Sequence, residues 1–108
     1  MDENMEMMIM NLIVGAGSAR SYAFESIGLA KEGKFEEARA ALENAANDLS
    51  GVHATQTDLI QKEARGEHME MGLIMVHAQD HIMTSMLARE LAAEIVELYE
   101  RLAEQKSV

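Results

Sequence analysis

The chain has 108 residues, with 19 acidic side chains against nine basic ones, and a formal charge of −10. That balance repels nucleic acid and anionic membrane surfaces, and the absence of cysteine removes disulfides, thiolate metal sites and covalent chemistry through sulfur. The length fits one domain, residues 1–108, and a mixture without proline, poor in aromatics and rich in Ala, Leu, Met and Glu predicts an all-α fold. The opening MDENMEMMIM carries acids where a secretory signal carries a basic region. The longest apolar stretch is broken by His77, Asp80 and His81, so a cytoplasmic protein without membrane insertion is expected.

The first helix is expected over about residues 2–30. Apolar or small residues recur at Met5, Ile9, Leu12, Ala16, Ala19, Ala23, Ile27 and Ala30, at spacings of three and four. Lys31-Glu32-Gly33-Lys34 then supplies last-turn cations and a glycine suited to a left-handed cap. Gly15 and Gly17 lack the third glycine of a dinucleotide loop and lie in a helical pattern, which favours close helix packing over a phosphate cradle.

The second helix spans about 35–64, with a seam of Phe35, Ala38, Leu42, Ala45, Leu49, Val52, Gln56 and Leu59. Gln56 is its one polar member and reads as a register marker. His53 and His68 are isolated and read as structural or exposed. Arg65-Gly66-Glu67 closes this helix as Gly33 closes the first.

A third helix is expected over about 69–105. Between Met71 and Leu87 three neighbouring stripes are apolar or carry the polar residues of the pentapeptide His77-Ala78-Gln79-Asp80-His81. A helix apolar all round is buried all round. Two sister helices cover only part of it, so the rest is expected to pack against copies of itself. Past Ala88 the surface regains Glu90, Glu94, Glu97, Glu100 and Arg101. Three helices of ~45 Å with short connections fit an up-down-up bundle.

Ionisable groups in such apolar surroundings must be paired, metal-bound or kept for chemistry. His77 and His81 lie ~40° apart around the helix, and Asp80 ~60° to the other side of His77, so the histidines are expected to share a groove while Asp80 faces another. One reading is a helical metal-dependent hydrolase using His77, Asp80 and His81, since two histidines one turn apart with an acid before the second resemble the HxxEH arrangement. The match is imperfect, because Asp replaces Glu and no third ligand is evident. A second reading makes a histidine the covalent carrier of a phosphoryl group, with apolar surroundings slowing its hydrolysis. A third is a non-catalytic helical interaction module. Three ionisable groups within five residues of an apolar segment count against that last reading.

VHAQDHIMTSMLARE, with the earlier HATQTDLIQ and GAGSAR, resembles the enzyme IIA component of the lactose/cellobiose (chitobiose) class of the bacterial phosphoenolpyruvate-dependent sugar phosphotransferase system. The resemblance covers nearly the whole chain, with Ile82 where leucine is usual. It implies a homotrimer of three-helix subunits with a nine-helix core. It also implies that His77, in a groove between subunits, accepts a phosphoryl group at Nε2 from the carrier HPr and passes it to a cysteine of the cognate enzyme IIB, during uptake of a disaccharide. Gln79 and His81 match groups near the phosphoryl site. Asp80 matches an aspartate that meets its two symmetry mates around a divalent cation, expected to be Mg²⁺, on the threefold axis. The residues reach part of this independently. If the Leu73, Val76, Asp80, Met83, Leu87 stripe faces a symmetry axis, carboxylates converge there, and two charges ~4 Å apart repel by ~4 kcal/mol at an effective dielectric of 20. They must protonate or bind a cation, for which clustered oxygens suit Mg²⁺ or Ca²⁺. An enzyme IIB needs a cysteine, which this chain lacks.

Overall fold

The computed structural model describes residues 3–106, which form three helices: α1 Glu3–Lys31, α2 Phe35–Ala64 and α3 Leu73–Lys106. The expected helix start at Asp2 lies outside the described residues. The molecule is a rod of 59 × 23 × 19 Å.

Both turns are made by glycine in the left-handed region, Gly33 at φ +79° and Gly66 at φ +88°. After α1 the Gly33 N–H donates to Ala30 O at 3.0 Å and the Lys34 N–H to Leu29 O at 2.9 Å. After α2 the Gly66 N–H donates to Glu63 O and the Glu67 N–H to Lys62 O, each at 3.0 Å. These are paired Schellman closures, which satisfy helix-end carbonyls that would otherwise lack donors.

The third helix begins at Leu73, four residues later than the periodicity indicates. The Glu63 carboxylate accepts the Met69 N–H at 3.1 Å and lies 2.9 Å from His68 Nδ1, which holds the chain after Gly66 in a non-helical hook. The first bond of α3 runs from the Val76 N–H to Gly72 O.

α1 packs along both other helices, which touch each other less. Its early residues Ile9, Leu12 and Ala16 share a cluster with Met75, Ala78 and Ile82, and its later ones, Ala23 and Ala30, with Ala92 and Val96. α1 and α3 therefore run parallel. Between these clusters lies a smaller one built on Ala19, Ala45 and Leu49. A Cβ on Gly15 would stand 2.7 Å from Val52 Cγ2, so that glycine serves close helix approach, as its pattern indicates. The α2 seam is buried as expected from Ala38 to Leu59, Gln56 included.

Of the three α3 stripes, the one through Met75, Ala78, Ile82 and Ser85 is buried in the protomer. The opposite face is left open: Leu73 is 85% exposed, Val76 51%, Met83 55% and Leu87 54%. It continues through exposed Leu91, Leu98 and Leu102, farther than the return of glutamates after Ala88 indicates.

Candidate functional site

The two histidines of α3 lie one turn apart, and their rings stack at 5.6 Å between centroids and 13° between planes. His77 is exposed and His81 half-buried. The reason for the difference is α1: Gly17 is opposite His81, and a Cβ there would come within 3.3 Å of His81 Nε2. The missing side chain gives the imidazole its seat. His77 stands one turn earlier, free of that contact, with its ring open to solvent.

Gln79 is two residues along α3 and points to the other flank. Its Oε1 accepts from Gln56 Nε2 at 3.0 Å, and its own amide nitrogen lies 3.6 Å from Met75 Sδ. Gln56, 6% exposed, also approaches Met83 Sδ at 3.5 Å. Within one protomer Gln79 is thus on the α2 side and His77 on the α1 side. The register marker expected at Gln56 is a direct hydrogen-bond partner of Gln79, a pairing that no spacing within either helix reveals.

Asp80 is exposed on the apolar stripe between Val76 and Met83. The expected separation of Asp80 from the histidines is incomplete, because a groove of about 560 Å³ between α1 and α3 is lined by Asp80, His81 and Thr84 together with Arg20 and Phe24. Thr84 lies between the directions of Asp80 and His81, and its hydroxyl donates to Asp80 O at 2.9 Å, so one wide groove reaches both. A smaller pocket of about 370 Å³ beside it is lined by Gly17, Arg20, Ser21, Phe24 and His81. Arg20 and Phe24 belong to this site, and the helix-packing reading of GAGSAR did not single them out. Their proximity to α3 follows from the parallel pairing of α1 and α3.

Among the described residues no three His, Cys, Asp or Glu side chains come together as a metal-binding group. Two imidazoles in near-parallel, stacked planes do not aim their in-plane lone pairs at one point. The His77, Asp80, His81 ligand set of the hydrolase reading is therefore not assembled within a protomer.

The fold and the site together define a small helical bundle that presents an exposed imidazole, His77, at its surface. Residues 7–100 match the family described as "PTS system, Lactose/Cellobiose specific IIA subunit", and the chain belongs to that family. It is a component of the sugar phosphotransferase system and transfers phosphoryl groups. It is 53% identical over 106 residues to the lichenan-specific phosphotransferase enzyme IIA component of Bacillus subtilis (strain 168), covering 98% of this chain and 96% of that protein. The crystal structure of the cellobiose-specific enzyme IIA from Bacillus anthracis matches with a TM-score of 0.90 and 42% identity, over 96% of this chain and 95% of that one. The IIA(Chitobiose) chain solved in complex with HPr, from the Escherichia coli N,N'-diacetylchitobiose branch, matches at TM-score 0.80 and 43% identity, over 94% of this chain and 99% of that one. No helix among the described residues is long and apolar enough to cross a membrane.

Proposed function

We propose that His77 is the phosphorylated residue, and that the chain works in the cytoplasm as a homotrimer relaying phosphoryl from HPr to a cysteine of an enzyme IIB for a disaccharide transporter. The observation that carries this reading is an exposed imidazole beside an unpartnered seam. Leu73, Val76, Asp80, Met83 and Leu87 recur at spacings of three and four on the open face of α3, the pattern that helices bury against copies of themselves. His77 follows the seam residue Val76, and Gln79 precedes the seam residue Asp80. In parallel helices such flanking positions face each other across the interface. His77 of one subunit then meets Gln79 of the next, which accounts for their placement on opposite flanks of one protomer.

In the transfer itself the lone pair of neutral His77 Nε2 attacks phosphorus while the donor's P–N bond breaks, its electron pair staying on the donor imidazole. The proton lost by His77 is matched by the one the donor ring gains. The cysteine of enzyme IIB repeats the exchange, forming an S–P bond and returning a proton to His77. Such a transfer asks for positioning and charge stabilisation, for which Gln79 and His81 supply hydrogen-bond donors.

On the seam, three Asp80 carboxylates would meet in an apolar setting. An all-oxygen, triply anionic donor set fits a hard divalent cation such as Mg²⁺, which would neutralise the cluster and take no part in the transfer.

The test is incubation with HPr, its phosphorylating enzyme and phosphoenolpyruvate, followed by intact mass. One added phosphate on the wild type and none on His77→Ala is expected. Labelling that survives His77→Ala, or no labelling at all, refutes the assignment.

A further inference from the structure

The proposed transfer leaves one cation beside the histidines without a task. Lys34, Arg39, Lys62, Arg65 and Arg101 are each ion-paired with a carboxylate. Among the described residues Arg20 has no ion pair, although the chain carries 19 acidic residues; its guanidinium lies over the Phe24 ring, 5.5 Å from the centroid. It is exposed and lines the pocket whose other members are Gly17, Ser21, Phe24 and His81. No carboxylate lines that pocket. The guanidinium, the Ser21 hydroxyl and the His81 ring all offer donors to it, and Gly17 leaves the space that a side chain would fill.

The geometry points to Arg20 as a phosphoryl-binding residue: its guanidinium meets the oxygens of the phosphoryl group carried on His77, with His81 as the wall between them. His77 stacks on His81 at 5.6 Å, so a group on its ring lies next to this pocket. A guanidinium matches two phosphoryl oxygens at once and keeps its charge at every working pH. Its present contact with Phe24 is a weak one at an exposed position and is readily exchanged for a dianion. Phe24 acts as the parking surface that keeps the guanidinium beside the site while His77 is unmodified. The inference rests on His77 being the phosphorylated side chain.

The experiment uses full-length wild type, Arg20→Gln and Arg20→Lys, each phosphorylated through HPr, and follows the ³¹P resonance of the phosphohistidine against pH in the isolated protein. A nearby guanidinium favours the doubly ionised phosphoryl group. Arg20→Gln is therefore expected to move its titration to higher pH, and Arg20→Lys to restore much of the shift. In parallel, the single-turnover rate of transfer at saturating phospho-HPr is expected to fall by about tenfold to a hundredfold in Arg20→Gln, the range for losing a hydrogen bond to a charged group. A ³¹P titration identical to wild type in Arg20→Gln overturns the inference, whatever the rate does. If that is joined by a raised KM for HPr alone, Arg20 contacts the partner protein and not the phosphoryl group. Labelling of His77→Ala in the same series would instead sink the assignment of His77, independently of the Arg20 variants.

Discussion

Ser26 and Ser85 are both fully buried on helix faces, yet their hydroxyls differ. Ser26 Oγ donates to Ala23 O at 2.6 Å, whereas Ser85 Oγ has no hydrogen-bond partner among the described residues. A buried hydroxyl without a partner costs roughly 1–3 kcal/mol, and alanine is the better helix former. Ser85→Ala is expected to stabilise the protein by about 1 kcal/mol after the small loss of packing. Ser26→Ala should change little. Urea denaturation reads both, and a lower midpoint for Ser85→Ala would show that its hydroxyl is bonded. At this scale the pentapeptide around His77 was legible, because imidazoles and a carboxylate inside LIMVHAQDHIMTSML contradict their surroundings. The Gln56–Gln79 bond and the seat that Gly17 gives His81 were not. Each joins two helices, and the offset between helices is fixed by packing that no single stretch of sequence encodes.

Between elements, Gly15 and Gly51 show how the same residue answers to different neighbours. A Cβ at Gly51 meets nothing within 4 Å, while one at Gly15 would press on Val52 Cγ2 at 2.7 Å, the side chain next to Gly51 in α2. Both sit in helix interiors, where glycine costs about 0.5–1 kcal/mol against alanine. Gly51→Ala is expected to gain about that amount. Gly15→Ala is expected to lose about 1 kcal/mol net, since overpacking a close helix contact costs roughly 1–3 kcal/mol. Thermal melts of the two variants should move in opposite directions; a common direction would show that the contact between Gly15 and Val52 relaxes freely.

The hook before α3 carries its own pH dependence. The hydrogen bond with His68 holds the Glu63 carboxyl below its ordinary value, assisted by the Met69 N–H, with desolvation acting against them and the charge of His68 adding the least. Because the folded value lies below the unfolded one, the hook's contribution is complete above the ordinary glutamate range near ~4.3 and is lost as pH falls through the depressed folded value. The ¹³C carboxyl titration of Glu63 should move up in His68→Ala; an unchanged titration would mean that His68 does not hold the carboxylate. The turn glycines Gly33 and Gly66 announced where α1 and α2 stop. The late start of α3 was hidden because Met69 and Met71 continue an apolar pattern, while the hook depends on Glu63 reaching forward across the turn.

For the whole molecule, the decisive feature is what a single protomer leaves uncovered. α1 occupies the middle of the bundle, so α3 can bury one face against it and must expose the face opposite. The exposed run through Leu73, Val76, Met83, Leu87, Leu91 and Leu98 extends along most of a helix of 34 residues, with Asp80 interrupting its apolar first half. The all-round apolarity of this segment is the ground for proposing an oligomer. Its number of subunits is not written in any periodicity, because the same seam spacing serves several oligomeric states.

Asp80 makes the proposed trimer testable by a substitution that ought to harm a metal-dependent assembly and should not harm this one. Converging carboxylates would repel by about 4 kcal/mol per pair at ~4 Å and an effective dielectric of 20, so the proposed trimer would need a cation or bound protons at that level. Replacing a buried charged cluster by apolar side chains is often neutral or stabilising. Asp80→Leu is therefore expected to remain trimeric in sedimentation at neutral pH and to be indifferent to chelator, whereas chelation should loosen the wild type. Dissociation of Asp80→Leu into monomers would mean that the ion, and not the apolar seam, holds the subunits together. Phosphorylation of His77 in the Asp80→Leu trimer should proceed at nearly the wild-type rate, since the proposed cation takes no part in the transfer.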